Sequence, residues 1–180
     1  MLELLIEKAQ LKLSKVILVG FSIGAQIMGI TGHKLSVKVD TVIGLDPALY
    51  PFSTVDATER LSPSSGDYVQ VLHTNSDYYG YRKPLGHADF YLNGGTEQPG
   101  CNGDPICSHN RAWEYFAESI NNNFLGGNCT SYETLEHDID TLNCNTYFQR
   151  FGGLKPDHSI VGIFNAETND TAPYFPHWIY

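Results

Sequence analysis

The chain carries little positive charge. Eleven Lys and Arg stand against twenty Asp and Glu in 180 residues, for a formal net charge of -9, and no basic cluster is longer than Arg82-Lys83. No nucleic-acid partner is expected from that balance, and long-range attraction to strongly anionic membranes is weakened. There is no apolar run of the roughly 18 residues that a membrane-spanning helix needs, so no transmembrane segment is expected. Residues 1–10 hold Glu3, Glu7 and Lys8 and no uninterrupted apolar stretch before a small-residue cleavage site, so they do not read as a signal peptide. No internal repeat occurs, and no polar linker marks a second domain. Cysteines are few: Cys101, Cys107, Cys129 and Cys144 permit three pairings, with local pairs favoured. Their spacing is not that of zinc ligands, and His73 and His87 find no third ligand at knuckle or helical spacing, so no metal site is expected.

What is present is a globular composition. At 42% hydrophobic and 17% charged, the chain is too apolar for a disordered one, and a folded chain of this size buries roughly 70% of its unfolded surface. Leu2, Leu5, Ile6 and Ala9 share a helical face, with Glu3, Glu7, Lys8 and Lys12 mainly opposite. Val16 to Val19 is a short β-branched run stopping at Gly20, and the pattern turns helical again from Ala25 to Gly29. Further buried strands are expected from Val39 to Leu45, Tyr68 to Leu72, Ala88 to Leu92 and Ile160 to Phe164, and a helix from Arg111 to Ile120, ended by Asn121 to Asn123 with Gly126-Gly127. Helix, strand, glycine-rich turn and helix in that order predict an α/β domain.

The strand ends hold the chemistry. Gly20-Phe-Ser-Ile-Gly24 falls between a buried strand and a helix, a context that favours a strained bend lifting the Ser22 hydroxyl off the sheet edge. Glycines two residues to either side would leave room for strand and helix to meet, and the Ile23 backbone N–H could serve a developing oxyanion. Ser22 as a plain helix cap is the alternative. Asp46 ends the next buried strand and could orient a histidine, or simply start a turn with Pro47. His109, expected on a loop just before the helix and two residues after Cys107, could take a proton from Ser22 and return it to a leaving alkoxide. His73 and His87 are expected to be hydrogen-bonded strand-end residues, and His33, His137, His158 and His177 exposed or solitary. The chain order Ser, Asp, His is that of α/β-hydrolases.

With those motifs in hand, the chain resembles the animal neutral lipases, the family of pancreatic lipase, lipoprotein lipase, wasp-venom phospholipases A1 and insect lipases. Gly20-Phe-Ser-Ile-Gly-Ala25, Gly44-Leu-Asp-Pro-Ala48 and Cys107-Ser-His-Asn-Arg-Ala112 resemble its serine, aspartate and histidine motifs. Val71-Leu-His-Thr-Asn75, Asp89-Phe-Tyr-Leu-Asn-Gly-Gly95 and Gln98-Pro-Gly-Cys101 have counterparts too, and Asn165 to Tyr174 resembles the domain's last strand. The resemblance implies an α/β-hydrolase fold with a Ser22, Asp46, His109 triad and Ile23 as oxyanion donor. It implies an enzyme that cleaves triacylglycerol or phospholipid esters, with no cofactor, at a possible lipid-water interface. It also implies Cys101–Cys107 and Cys129–Cys144 disulfides. With the sequons at Asn128 and Asn169, it points to a secreted glycoprotein.

The chain also departs from the family. Family members carry a long segment ahead of the serine, with sheet strands and a His-Gly loop giving the second oxyanion N–H; residues 1–180 therefore read as the C-terminal portion of one lipase domain with a partial sheet. The calcium motif Arg-Leu-Asp-x-x-Asp is here Arg60-Leu-Ser-Pro-Ser-Ser65, so calcium dependence is not expected. Only Asn102 to Ile106 separate Cys101 from Cys107, a short lid like that of the phospholipase A1 and insect branches. The competing reading is a catalytically inactive relative that binds lipid or serves structurally, as insect yolk proteins of the family do, or a truncated inactive form. An unrelated α/β binding module is a third.

Overall fold

A computed structural model describes residues 2–76, 78–129, 144 and 148–175. Among the described residues, three α-helices and seven strands follow one another as α1 (Leu2–Ala9), β1 (Ile17–Phe21), α2 (Ile23–Lys34), β2 (Thr41–Leu45), β3 (Tyr68–His73), β4 (Ala88–Leu92), α3 (Pro105–Ser119), β5 (Phe124–Cys129), β6 (Phe148–Phe151) and β7 (Gly162–Ala166). The strands form one mixed sheet in the order β1-β2-β3-β4-β7-β5-β6. Strands β1, β2, β3, β4 and β7 are parallel, and β5 and β6 close the far side as antiparallel neighbours. The expected α/β class is what forms, and β1 stands at a sheet edge.

The sequence reads as continuous apolar runs because both faces of the inner strands are covered. Val42, Val69 and Val71 face one side with Leu18, Leu61 and Leu85, where Ile6 of α1 and Met28 of α2 pack. Ile43, Leu45, Tyr68 and Leu72 face the other, against Ala112 and Tyr115 of α3 and the aromatic set Phe90, Phe124, Phe151 and Phe164. Fully burying one such side chain contributes about 1.5–3 kcal/mol. Strand β1 is covered less completely, and Val19 is 39% exposed.

Four details differ from the sequence expectation. The first strand runs through Gly20 to Phe21, so the bend falls at Ser22 itself. The third helix begins at Pro105, six residues early: Asp104 caps it by accepting from the Ile106 N–H at 2.9 Å, and proline at the first position loses no helical hydrogen bond. Gly126 and Gly127 do not end a helix but lie within β5, where a Cβ on Gly126 would come within 3.0 Å of the Phe90 ring. The last strand is Gly162–Ala166, with no strand from Glu167 to Phe175. Residues 130–143, most of the cysteine-bounded loop, and His137 and His177 lie outside the described residues.

Candidate active site

Parallel pairing brings the C-terminal ends of the strands to one edge. Phe21 is in register with Leu45, and Leu45 with Leu72, so Ser22 and Asp46 leave the sheet side by side. Ser22 adopts φ 56° and ψ -122°, a left-handed conformation that costs a non-glycine residue about 1–3 kcal/mol. Neighbours hold it there: its N–H donates to Leu45 O at 2.9 Å, and its carbonyl accepts from Ala48 at 3.2 Å and Ala25 at 3.1 Å. A Cβ on Gly20 would sit 2.3 Å from the Gly24 carbonyl oxygen, so glycine is required there. On Gly24 it would meet nothing within 4 Å, so the expectation that both glycines make room holds for the first alone.

Ser22 makes no side-chain cap to α2. Its Oγ instead lies 2.9 Å from Nε2 of His109, whose Nδ1 lies 2.5 Å from Oδ2 of Asp46. A carboxylate only accepts, so Nδ1 carries the proton and Nε2 presents its lone pair to the serine O–H. Asp46 is fully buried, and its Oδ1 accepts two further N–H groups, from Thr74 at 2.8 Å and Asn75 at 3.1 Å. That answers how the strand end tolerates a buried charge. A Cβ on Gly80 would stand 2.4 Å from the same oxygen, so the loop after Asn75 closes on the carboxylate through a glycine. Ile23 is the first residue of α2, and its N–H is among the first-turn donors that have no partner within the helix.

His109 is helical, not on the expected loop. The first turns of α3 are fixed by the Cys101–Cys107 disulfide, by Ser108 Oγ accepting from the Gln98 N–H at 3.0 Å, and by Phe21 and Tyr79, whose rings lie 4.6 Å and 5.4 Å from the imidazole. Gln98 is fully buried and its amide donates to Thr74 O and Leu92 O, joining two strand ends to the histidine helix. Arg111, two residues on from His109, holds the segment 168–175 through Tyr174 and Asp170 O, while Glu114 of the same helix accepts from both Arg111 and the Tyr174 hydroxyl. Burial and the hydrogen bond to Glu114 push the Tyr174 hydroxyl up to about 12, and burial raises that of Tyr115, so both stay neutral donors.

The supporting residues Thr74, Asn75 and Gln98 fall in motifs visible in the sequence, but Tyr79 and Gly80 had no signal there. His73 is a buried strand-end residue as expected, bonded to Asp89 at 2.9 Å and Tyr81 O at 2.8 Å. His87 Nδ1 accepts from Val69 N–H at 3.0 Å. His158 is exposed as expected, though it meets Thr41 and stacks on Tyr68, whereas His33 is neither exposed nor solitary and faces three oxygens of the 60–65 loop. The second disulfide joins Cys129 and Cys144, as the resemblance implied. A cleft of about 270 Å³ lies between Asn75, Thr96, Glu97 and Ser108, but neither Ser22, Asp46 nor His109 lines it. No helix among the described residues is long and apolar enough to cross a membrane.

Comparison with known proteins gives the same direction. The family model described as Lipase matches residues 1–154. Phospholipase A1 VesT1.02 of Vespa tropica is 40% identical over 126 residues, covering 66% of this chain and 41% of that protein. Lipoprotein lipase of Homo sapiens is 37% identical over 163 residues, covering 77% of this chain and 34% of that protein. Phospholipase A1 1 of Dolichovespula maculata is 42% identical over 123 residues, 64% of this chain and 38% of the relative. The matches thus span about two-fifths or less of the length of these relatives.

Proposed function

The chain belongs to the lipase family, and on that premise we propose that it carries the triad of a carboxylic ester hydrolase acting on lipids. One observation carries the reading: the hydrogen-bonded series Ser22, His109, Asp46, with the serine on a strained bend at a helix start. In that series His109 Nε2 accepts the serine proton as Oγ attacks the ester carbonyl. Asp46 holds the imidazole in the right tautomer and stabilises the imidazolium. The Ile23 N–H faces the developing oxyanion. His109 then returns the proton to the departing alkoxide, leaving an acyl-enzyme that water hydrolyses by the same route. No cofactor is required by this chemistry.

Lipid as the substrate class is supported by the relatives' names, phospholipase A1 and lipoprotein lipase. It is also supported by apolar groups left facing water beside the reacting atoms. Ile23 is 55% and Ile27 50% exposed on α2, while Ile106 and Trp113 are 57% and 46% exposed three residues before and four after His109. The two disulfides support an extracellular setting, and Asn169 is an exposed sequon asparagine suited to glycosylation. Reading residues 1–180 as the C-terminal portion of a single domain belongs to the same proposal, and the intact mass of the native protein tests it. The catalytic claim is tested by fluorophosphonate labelling and ester hydrolysis in the native protein. Labelling should vanish in Ser22→Ala and fall sharply in His109→Ala. Labelling that persists in Ser22→Ala would remove the proposal, and an unreactive native protein would favour a lipid-binding, non-catalytic relative.

A further inference from the structure

The loop from Arg60 to Ser65 resembles the family's calcium motif in its sequence pattern but not in its chemistry, and the geometry shows what stands against it. Calcium takes six to eight oxygens, typically including carboxylates. Here Ser62 and Ser65 present neutral hydroxyls at both carboxylate positions. The space they border is taken by an imidazole: His33 Nε2 lies 3.2 Å from Arg60 O, 3.2 Å from Ser62 Oγ and 3.2 Å from Ser65 Oγ. The loop as built does not fit the cation.

The contact is deliberate in its packing. His33 reaches the loop because α2 lies against it through its glycines: a Cβ on Gly32 would stand 1.8 Å from Ser65 O, and one on Gly29 2.4 Å from Leu61 Cα. Gln26, on the same helix, accepts the Leu61 N–H at 2.9 Å. A carbonyl oxygen only accepts, so the nitrogen facing Arg60 O carries a proton and donates. The two serines accept backbone N–H groups from each other across a 3-10 turn, Pro63–Ser65, which leaves their oxygens aimed at a donor. We infer that the His33 N–H takes the place of calcium as the group that fastens the 60–65 loop to the rear of α2, the helix that follows Ser22. The clasp is part of the chain, and it stands whether or not Ser22 is a nucleophile.

The test uses thermal unfolding of the native protein in EDTA and in millimolar calcium chloride, with hydrogen exchange resolved to the amides of residues 60–66. The wild-type chain should unfold at the same temperature in both buffers. His33→Ala should speed exchange in 60–66 by about two- to tenfold, as expected for one lost neutral hydrogen bond, ahead of the rest of the chain and without rescue by calcium. His33→Gln, whose amide can donate to the same oxygens, should recover part of the protection and serves if the alanine variant does not fold. The variant H33A/S62D/S65D should become calcium-stabilised, because carboxylates and space are restored together. Calcium stabilisation of the wild type would overturn the inference. So would unchanged exchange at 60–66 in both single variants, or a triple variant indifferent to calcium.

Discussion

The two glycines of the serine motif look equivalent in sequence, yet their surroundings assign them opposite responses to the same mutation. In Gly20→Ala the new Cβ would lie 2.3 Å and 2.4 Å from the Gly24 carbonyl and 2.7 Å from the Ala25 nitrogen, all backbone atoms. Ordinary contact begins near 3.4 Å, so strand or helix must retreat by about 1 Å, and interiors close-packed as crystals do not absorb that cheaply. Overpacking of this kind costs about 1–3 kcal/mol, or a melting temperature lower by about 2–12 °C for a chain of this length. The retreat would fall on the bend that sets Ser22 against His109, where a misplacement of about 1 Å can cost about 10²-fold in rate. In Gly24→Ala the Cβ meets nothing within 4 Å, the residue is helical, and alanine is preferred over glycine there by up to about 1 kcal/mol. That variant should melt at the same or a slightly higher temperature and react with fluorophosphonate at the native rate. The assay is differential scanning calorimetry beside labelling kinetics on both variants. Equal losses, or a greater loss in Gly24→Ala, would refute the reasoning.

Other consequences are as specific. Asp46→Asn should keep its bonds from Thr74 and Asn75 through the amide oxygen while its NH₂ faces His109, fixing the wrong tautomer; kcat should fall by about 10⁴-fold with little change in KM, as steady-state kinetics will report. Breaking the Cys101–Cys107 bridge by double serine substitution should cost about 2 kcal/mol by chain entropy and, because Cys107 precedes His109 by two residues on the same helix, should slow labelling more than the Cys129–Cys144 double variant does. Burial, and then Lys38, lower the His87 pKa from 6.5, and its Nδ1 accepts from Val69, so the folded state prefers the neutral ring. The sign follows: below 6.5 the unfolded chain binds the extra proton, so this stability is complete above that pH and is lost as the pH falls from there toward the lower folded-state pKa. Urea midpoints should therefore drop from pH 7.5 to 5 more steeply in the wild type than in His87→Gln, and parallel curves would count against it. With five residues between Cys101 and Cys107, the native protein should show no large rate jump as an ester substrate passes from monomer to emulsion; a large jump measured by titration of released acid would contradict the short-lid reading.

Much of this arrangement was legible because parallel strands buried on both faces leave long apolar runs that end abruptly at polar residues. Asp46 is the first residue beyond such a run, and Ser22 and the Thr74-Asn75 pair follow within three residues of theirs, so reading where hydrophobicity stops comes close to reading which groups share the sheet's C-terminal edge. His109 was legible as a residue but not as a conformation. The helical pattern in apolar residues starts only at Ala112, while the true start is set by an Asp104 cap, Pro105 and a disulfide, signals of polarity and covalent geometry with no periodicity. Strand β5 was missed for a related reason: Phe124-Leu-Gly-Gly-Asn-Cys129 has low strand propensity, and at Gly126 the Phe90 ring and the Phe164 Cβ occupy the space where a side chain would stand.

What sequence could not carry was contact between distant residues that lack any motif. Gly80 lies in a polar loop whose composition says only that the chain turns, yet it closes against the Asp46 carboxylate that Thr74 and Asn75 N–H groups already hold. His33 sits at the end of a helix with no feature to distinguish it from a solvated histidine, and becomes meaningful only when the loop at Arg60 is folded against it. These two residues bear on the same problem from opposite ends. A buried carboxylate and a strained serine persist only if the surrounding backbone over-determines them, and here the constraint comes from glycine approaches and neutral hydrogen bonds. Ala48 N–H holds the Ser22 carbonyl, the Gln26 amide holds Ala48 O at 2.7 Å, Gln26 also takes Leu61 N–H, and His33 closes the loop beyond it. The serine bend is thus tied through α2 to the 60–65 loop by a series of polar contacts made wholly by the chain itself, so loosening that loop should reach Ser22 before it reaches the far strands β5 and β6.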